Sequence, residues 1–208
     1  RYRDVTGVQT CALPIYDIIF KDNIIRHTCV IPYGGGIITE DIKEGCSIIE
    51  KHAEQLKVKF GSAVPELEKD STYVTIPGLH GRPDKEISLK TLAQIINARV
   101  EEILEMVNTE LKAYGAFEQK KKLIAGIVLT GGGSNLKHLR QLANYTTGLD
   151  SRIGFANEYV ANDKNQYLKG PEFATSIGLL MESLKIRDKK LNTVEDTPVL
   201  EKEQQENA

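Results

Sequence analysis

The sequence predicts an α/β protein, and three observations carry the prediction. The stretch 124–143, IAGIVLTGGGSNLKHLRQLA, reads as an apolar strand, a run of glycines and an amphipathic helix. Residues 16–32 alternate β-branched segments about a polar turn, the pattern of a hairpin. From Leu89 to Leu111, apolar residues recur every three or four positions, the signature of one long helix with a buried stripe.

The strand–glycine–helix stretch is also the candidate site. Ile127, Val128 and Leu129 have the continuous apolar character of a strand buried on both faces. Gly131, Gly132 and Gly133 let the backbone turn sharply and leave main-chain N–H groups free. Ser134 is a natural N-cap, and Leu136, Leu139, Leu142 and Ala143 fall at helical spacing, so a helix is expected directly after the glycines with its positive end toward the turn. Such an arrangement suits an anion or a nucleotide, although it matches neither GxGxxG nor GxxxxGK[ST]. The plainer alternative is a tight strand-to-helix corner.

The chain has 208 residues, 40% of them hydrophobic, enough for one large or two small domains with a real core. A net charge of −2 with both signs interspersed gives no bulk attraction to nucleic acid or to an anionic membrane. Cys11, Cys29 and Cys46 are odd in number and lack CxxC spacing, which points to reduced thiols in a cytosolic protein. No apolar run is long enough to span a bilayer, and no signal peptide is recognised. Residues 1–15, RYRDVTGVQTCALPI, resemble translated sequencing-adapter read-through and are expected to be a non-native leader; the authentic chain is then a fragment starting near Tyr16.

In order, YDIIF and IIRHTCVIP form the expected hairpin about Lys21, Asp22 and Asn23, ended by Pro32 and the glycines 34–36. A short helix is expected over 39–45. A second should begin at Ser47, where Ser47 and Glu50 make a capping-box pattern, and run to Phe60 with Ile49, Ala53, Leu56 and Phe60 on one face and Glu54 and Lys57 beside it. Turn-rich sequence follows around strands at 73–76 and 85–88, reading as a small inserted subdomain. The long helix then carries Leu89, Leu92, Ile96, Val100, Ile103, Val107 and Leu111 inward, with Arg99 at the margin of the stripe, its stem covering apolar surface and its head snorkelling outward or serving an interface. The basic run 120–122 is expected to be a solvated loop. SRIGF is a short strand, NEYVANDKNQYLKG a loop, and GPEFATSIGLLMESL a helix with Phe173, Ile177, Leu180, Met181 and Leu184 inward and Gly178 allowing close packing. From Lys185 the composition turns polar and disorder is expected.

The series IIRHTCVIPYGGGIITEDIKEGC, HAEQLKVKFGSA, IVLTGGGSNLKHLRQLA, SRIGF and PEFATSIGLL, in that order, resembles the family of the bacterial cell-division protein FtsA over residues 16–184. The resemblance implies the second half of an actin-like, RNase H-like fold: residues 16–57 and 124–184 as a nucleotide-binding subdomain, 58–123 as an inserted small α+β subdomain and 185–208 as a disordered tail. It implies ATP or ADP as cofactor, with Gly131, Gly132, Gly133, Ser134 and Leu136 bordering adenine and ribose, and Glu54 and Lys57 as an acidic and basic pair reaching the same nucleoside. Read as residues alone, Glu54 and Lys57 are an ordinary helical ion pair.

Departures from the family pattern matter equally. The resemblance places the second phosphate loop just before YDIIF, where the adapter-like leader now stands, and the first phosphate loop and the Mg²⁺-holding residues in a half expected to be missing. No ATPase activity of consequence and at most weak nucleoside binding are therefore expected. The resemblance further implies a cytoplasmic adaptor at the inner face of the membrane at the division septum, which binds the carboxy-terminal peptide of FtsZ, self-associates into actin-like filaments and is anchored by an amphipathic tail helix. Asn97 and Arg99 on the long helix are the expected peptide contacts, an arginine fork suiting a carboxylate. The tail helix is not evident, since 187–208 holds only Leu191, Val194, Val199 and Leu200 as strong apolar residues. Other actin-like scaffolds, the MreB-like and PilM-like relatives, and superfamily sugar or acetate kinases are the alternatives; His27, His52, His80 and His138 are scattered and do not form a kinase site. Zinc, EF-hand and Ser-His-Asp patterns are missing, as is a basic face interleaved with aromatics for nucleic acid.

Overall fold

A computed structural model describes residues 14–22, 24–78, 83–118, 123–155 and 170–195, with the side chains of the last helix described to Asp188. Strand β1 (Ile15–Lys21) pairs antiparallel with β2 (Ile24–Ile31), and Asp22 takes a left-handed conformation at the turn. Helix α1 (Gly35–Cys46) and helix α2 (Glu50–Phe60) follow, then β3 (Tyr73–Ile76) antiparallel to β4 (Lys85–Ser88), the 26-residue helix α3 (Leu89–Tyr114), β5 (Ile127–Leu129), α4 (Leu139–Thr147), β6 (Ser151–Ile153) parallel to β5, and α5 (Ala174–Glu195). Short 3-10 turns lie at Pro65–Leu67, Gly132–Asn135 and Pro171–Phe173.

Helix α3 is the shared wall. Leu89, Leu92, Ile96, Val100, Ile103 and Leu111 are all buried, as their spacing predicts, and Val107 is half-buried. The helix meets α1, α4, β2, β4 and the Pro65–Leu67 turn. One cluster joins Ile38 and Ile42 of α1, Ala53 and Leu56 of α2, Ile76 and Ile87 of the small hairpin, the upper part of α3, and Leu142 and Ala143 of α4. This core runs across the expected boundaries at 57/58 and 123/124, so the small hairpin shares its core with the frame. A second cluster of Ile19, Leu111 and Ala116 gathers Leu123, Ile127 and Leu149 around the other end of α3.

The β1–β2 hairpin docks on that end by its period-two alternation. Ile19 is buried while Tyr16, Ile18 and Phe20 point away and are exposed. On the docked face Asp17 stands opposite Cys29, and His27 Nε2 lies 3.2 Å from Glu110 Oε2 of α3, with its ring tilted over Tyr114. Asp17 Oδ2 is buried without a hydrogen-bond partner. Burial pushes the Asp17 carboxyl above its ordinary value; the nearby His27 opposes this and Glu110 adds to it. Cys46 is buried and Cys29 half-buried, both are free thiols, and burial raises both. Cys11, the basic run 120–122, His80 and most of the 157–170 loop lie outside the described residues.

Several expectations are corrected. Ser47 and Glu50 make no capping box: α1 is longer than the expected 39–45 segment and uses Ser47 to stop, at φ 47°, with the Ser47 and Ile48 amides closing onto Glu44 and Lys43 carbonyls. A left-handed residue cannot take the extended N-cap geometry, so α2 starts at Glu50 from Ile49. Ser134 is not an N-cap either. A 3-10 turn and the extended residue Leu136 intervene, and α4 starts only at Leu139. Strand β5 is not buried on both faces, since Val128 is 48% exposed beside a single pairing strand. In α5, Leu180 and Leu184 are exposed rather than inward, and a Cβ at Gly178 would meet nothing, so no close packing occurs there; among described elements this helix touches chiefly the Pro171–Phe173 turn. Nor does order end at Lys185, because α5 continues to Glu195.

The raised Asp17 carboxyl fixes the sign of a pH effect. A folded pKa above the unfolded value of 3.8 means that the stability from neutral Asp17 is fully present below 3.8 and is lost as pH rises through the folded value. Asp17→Asn is expected to raise Tm at neutral pH, with the gain shrinking as pH falls toward the ordinary carboxylate range. Thermal melts followed by circular dichroism across that range check it; equal Tm differences at every pH would refute the assignment.

Candidate functional site

The site grows out of the end of β5. Thr130 Oγ1 donates to the Gly154 carbonyl at 3.1 Å, and the Gly131 amide donates to the Pro171 carbonyl at 3.0 Å, so the turn is held against both β6 and the Pro171–Phe173 turn. Gly131 sits at φ 86°, a conformation that a side chain would strain. Among the described residues, an added Cβ at Gly133 would meet nothing within 4 Å, and at Gly132 only Glu172 at 3.9 Å. Packing among these residues therefore does not require glycine at either position. Their missing side chains leave room above the turn.

Ser134 points the other way. It is buried, and its hydroxyl donates to the Gly131 carbonyl at 2.7 Å, bracing the turn from below. Asn135 Nδ2 donates to Glu172 Oε2 at 2.9 Å, and that bond, with Glu172's own amide, holds the exposed Glu172 carboxyl below its ordinary value. Leu136 is extended and leans on Gly61, whose added Cβ would lie 2.7 Å from Leu136 Cδ2 and 2.3 Å from the Lys57 carbonyl oxygen.

That contact joins the second part of the site. Residues 61–63, just past α2, run beside Lys137 as a one-residue parallel bridge: Lys137 N–H donates to the Gly61 carbonyl at 3.2 Å and Ala63 N–H to the Lys137 carbonyl at 2.8 Å. The clasp seats the last turns of α2 next to the glycine turn. One turn back, Lys57 Nζ donates to Glu54 Oε2 at 2.7 Å, to Thr39 Oγ1 at 2.7 Å and to the Gly35 carbonyl at 2.8 Å. Thr39 Oγ1 donates in turn to Glu54 Oε2 at 2.5 Å. Burial acts to raise the Glu54 carboxyl, but hydrogen bonds from Lys57 and Thr39 and the Lys57 charge outweigh it and hold the group below its ordinary value. The pair is thus more than a helical ion pair, because it ties α2 to the start of α1.

Asn97 and Arg99 are both engaged by the protein itself. Asn97 Nδ2 donates to the Ala63 carbonyl at 2.8 Å, which adds α3 to the clasp. Arg99 does not snorkel: its guanidinium grips Asp41 of α1 through Nε (2.6 Å) and Nη2 (2.9 Å), bonds Glu102 through Nη1 and lies 5.7 Å from the Tyr33 ring centroid. The Asp41 bonds raise its pKa further. Thr39, Asp41 and Gly61 escaped the sequence reading. Each acts through a partner 15 to 58 residues away or through a close approach that only coordinates reveal.

Among the described residues, no group of three or more His, Cys, Asp or Glu side chains is arranged to hold a metal ion, so the Mg²⁺ implied by the family finds no fitting ligand set there. No described helix is long and apolar enough to cross a membrane. An open depression of about 700 Å³ lined by Leu123, Ile124, Asn144 and Asp150 lies at the opposite end of β5 from the glycine turn. Ligands of open α/β sheets bind at the carboxyl ends of strands, which favours the glycine turn over this hollow.

The fold is that of the actin-like proteins. MreB5 of Spiroplasma citri, solved bound to ADP, superposes with a TM-score of 0.64 at 18% identity, over 87% of this chain and 56% of that one. A chain of the PilM-PilN type IV pilus biogenesis complex gives 0.57 at 20% identity, over 79% and 41%. The family model for cell division protein FtsA matches residues 15–178, and FtsA of Neisseria meningitidis serogroup B is 35% identical over 168 residues. The chain belongs to the FtsA family. It spans 81% of its own length in that alignment but only 40% of the relative's.

Gly61 is where the two parts of the site touch. Gly61→Ala is expected to cost roughly 1–3 kcal/mol, the usual cost of overpacking, by forcing Leu136 or the α2 end outward. Urea denaturation measures it, and an unchanged midpoint would show that the clasp yields freely.

Proposed function

We propose that this chain is the adenosine-binding side of an FtsA-family nucleotide cleft. ATP or ADP would lie on the open face of Gly131, Gly132 and Gly133, with Leu136 beneath the base and Glu54, steadied by Lys57, facing the ribose; Ser134 would shape the turn from below. The observation that carries the reading is the space that the described residues leave open over Gly132 and Gly133, which packing among them does not explain. The ADP bound to MreB5 supports it by analogy of fold. The proposal concerns nucleoside binding alone, since the groups argued for here face the base and ribose.

Gly133→Val tests the reading. The added side chain has room in the folded protein, so Tm is expected to stay within a degree or two, whereas ADP binding measured by calorimetry should fall at least tenfold. Equal ADP affinity in wild type and variant would sink the proposal. No release of phosphate from ATP above the buffer rate is expected from either.

For the complete protein we propose the adaptor role: binding the FtsZ carboxy-terminal peptide, self-association into actin-like filaments and attachment to the inner face of the cytoplasmic membrane at the septum through a tail helix. The peptide is assigned to the Asn97–Arg99 face of α3. Because Arg99 is already gripped by Asp41, an incoming carboxylate must compete with it. Asp41→Ala is therefore expected to tighten binding of a fluorescent FtsZ peptide in an anisotropy titration, and Arg99→Ala to abolish it. Weaker binding in Asp41→Ala would move the docking site elsewhere.

A further inference from the structure

We infer that Thr39 is a positioning residue for the nucleoside site, holding Glu54 so that one carboxylate oxygen is presented to the ribose hydroxyls. The inference rests on the proposed nucleotide reading and goes beyond it, since Thr39 lies on α1, outside both the glycine turn and the acidic–basic pair. Donors and acceptors in the Thr39–Glu54–Lys57 triangle can be counted. An ammonium has three protons, and those of Lys57 go to Glu54 Oε2, Thr39 Oγ1 and the Gly35 carbonyl, all between 2.7 and 2.8 Å. A hydroxyl has one proton, and that of Thr39 goes to Glu54 Oε2 at 2.5 Å, the Gly35 carbonyl lying farther off at 3.3 Å.

Glu54 Oε2 thus accepts from both partners, which fixes the carboxylate's orientation, while Oε1 takes part in neither bond. The Glu54 side chain is half exposed, that of Lys57 only 14% exposed, and Thr39 is 4% exposed. The exposed acceptor of the triangle therefore belongs to Glu54. A vicinal diol, with two hydroxyl donors, is a ligand chemistry that such a fixed carboxylate accepts. Without the Thr39 hydroxyl, Lys57 alone would hold Oε2, and a single bond to a flexible ammonium leaves the carboxylate free to rotate. Thr39 is also the point at which the start of α1 would report on the site.

The test compares Thr39→Val, which keeps the shape and removes the hydroxyl, with Thr39→Ser, which restores it. Two measurements are made on each folded variant. The first is the Glu54 carboxyl titration by carbon-13 NMR, which needs no ligand: Thr39→Val should shift Glu54 upward, and Thr39→Ser should return it toward the wild-type position. The second is calorimetric affinity for ADP and for 2′,3′-dideoxy-ADP. Wild type should prefer ADP, Thr39→Val should lose most of that preference with ADP binding about fivefold to tenfold weaker, and Thr39→Ser should regain it. A purely structural Thr39 would weaken both ligands equally and leave their ratio intact, which overturns the inference. If wild type binds no ADP, the nucleotide reading fails; the titration then decides alone, and a Glu54 unmoved in Thr39→Val overturns the positioning role as well.

Discussion

Everything in the site depends on satisfying the backbone of residues 61–63. Gly61, Ser62 and Ala63 are buried, and buried peptide groups without partners are costly. The Gly61 amide closes on the Lys57 carbonyl and the Gly61 carbonyl accepts from Lys137; the Ala63 amide reaches the Lys137 carbonyl and its own carbonyl accepts from Asn97. Three elements therefore meet on three residues: the end of α2, the segment after the glycine turn and the first third of α3. A shift of any one leaves a buried amide or carbonyl of the others unpaired. This makes the relative placement of Glu54 and the glycine turn a property of the backbone, independent of how their side chains settle.

The same requirement explains which parts of the fold were legible beforehand. The α3 stripe and the strands at Tyr73–Ile76 and Lys85–Ser88 follow local periodicity, and a periodic apolar face leaves a helix or strand little choice of orientation. The failures sit where a distant partner overrules a local signal. Ser134 has the right residue type for a cap, yet Lys137 must stay extended to bridge Ser62, so the helix cannot begin until Leu139. Ser47 has the right spacing to Glu50, but α1 extends to Cys46 and takes Ser47 for its own left-handed stop. Leu180 and Leu184 have a buried helix's spacing, and nothing among the described residues covers them. Periodicity shows which face is apolar; it does not show what arrives to cover it.

Charge was the least readable layer. Arg99 and Asp41 are 58 residues apart, and no local rule pairs them, yet their two-pronged contact is the main polar tie between α3 and α1. A partly buried arginine with a matching carboxylate fork fixes geometry more than it adds stability, because desolvation offsets much of the attraction. Lys57 plays the corresponding part between α2 and α1. In both cases a residue flagged from sequence as a candidate ligand contact is committed first to the protein, so a ligand must compete with that contact or bind beside it.

That commitment bears on what a nucleoside at the proposed site would cost in ordered side chains. A nucleoside pocket assembled from mobile side chains would lose free energy by ordering them on binding, on the order of 0.5–1.5 kcal/mol for each long side chain. Here Lys57 uses all three donors and Glu54 accepts two bonds without a ligand, so that ordering is already complete on folding. On the proposed reading the triangle would therefore read the ribose rather than the phosphates, because its exposed acceptor is a carboxylate oxygen that repels phosphate and accepts hydroxyl protons.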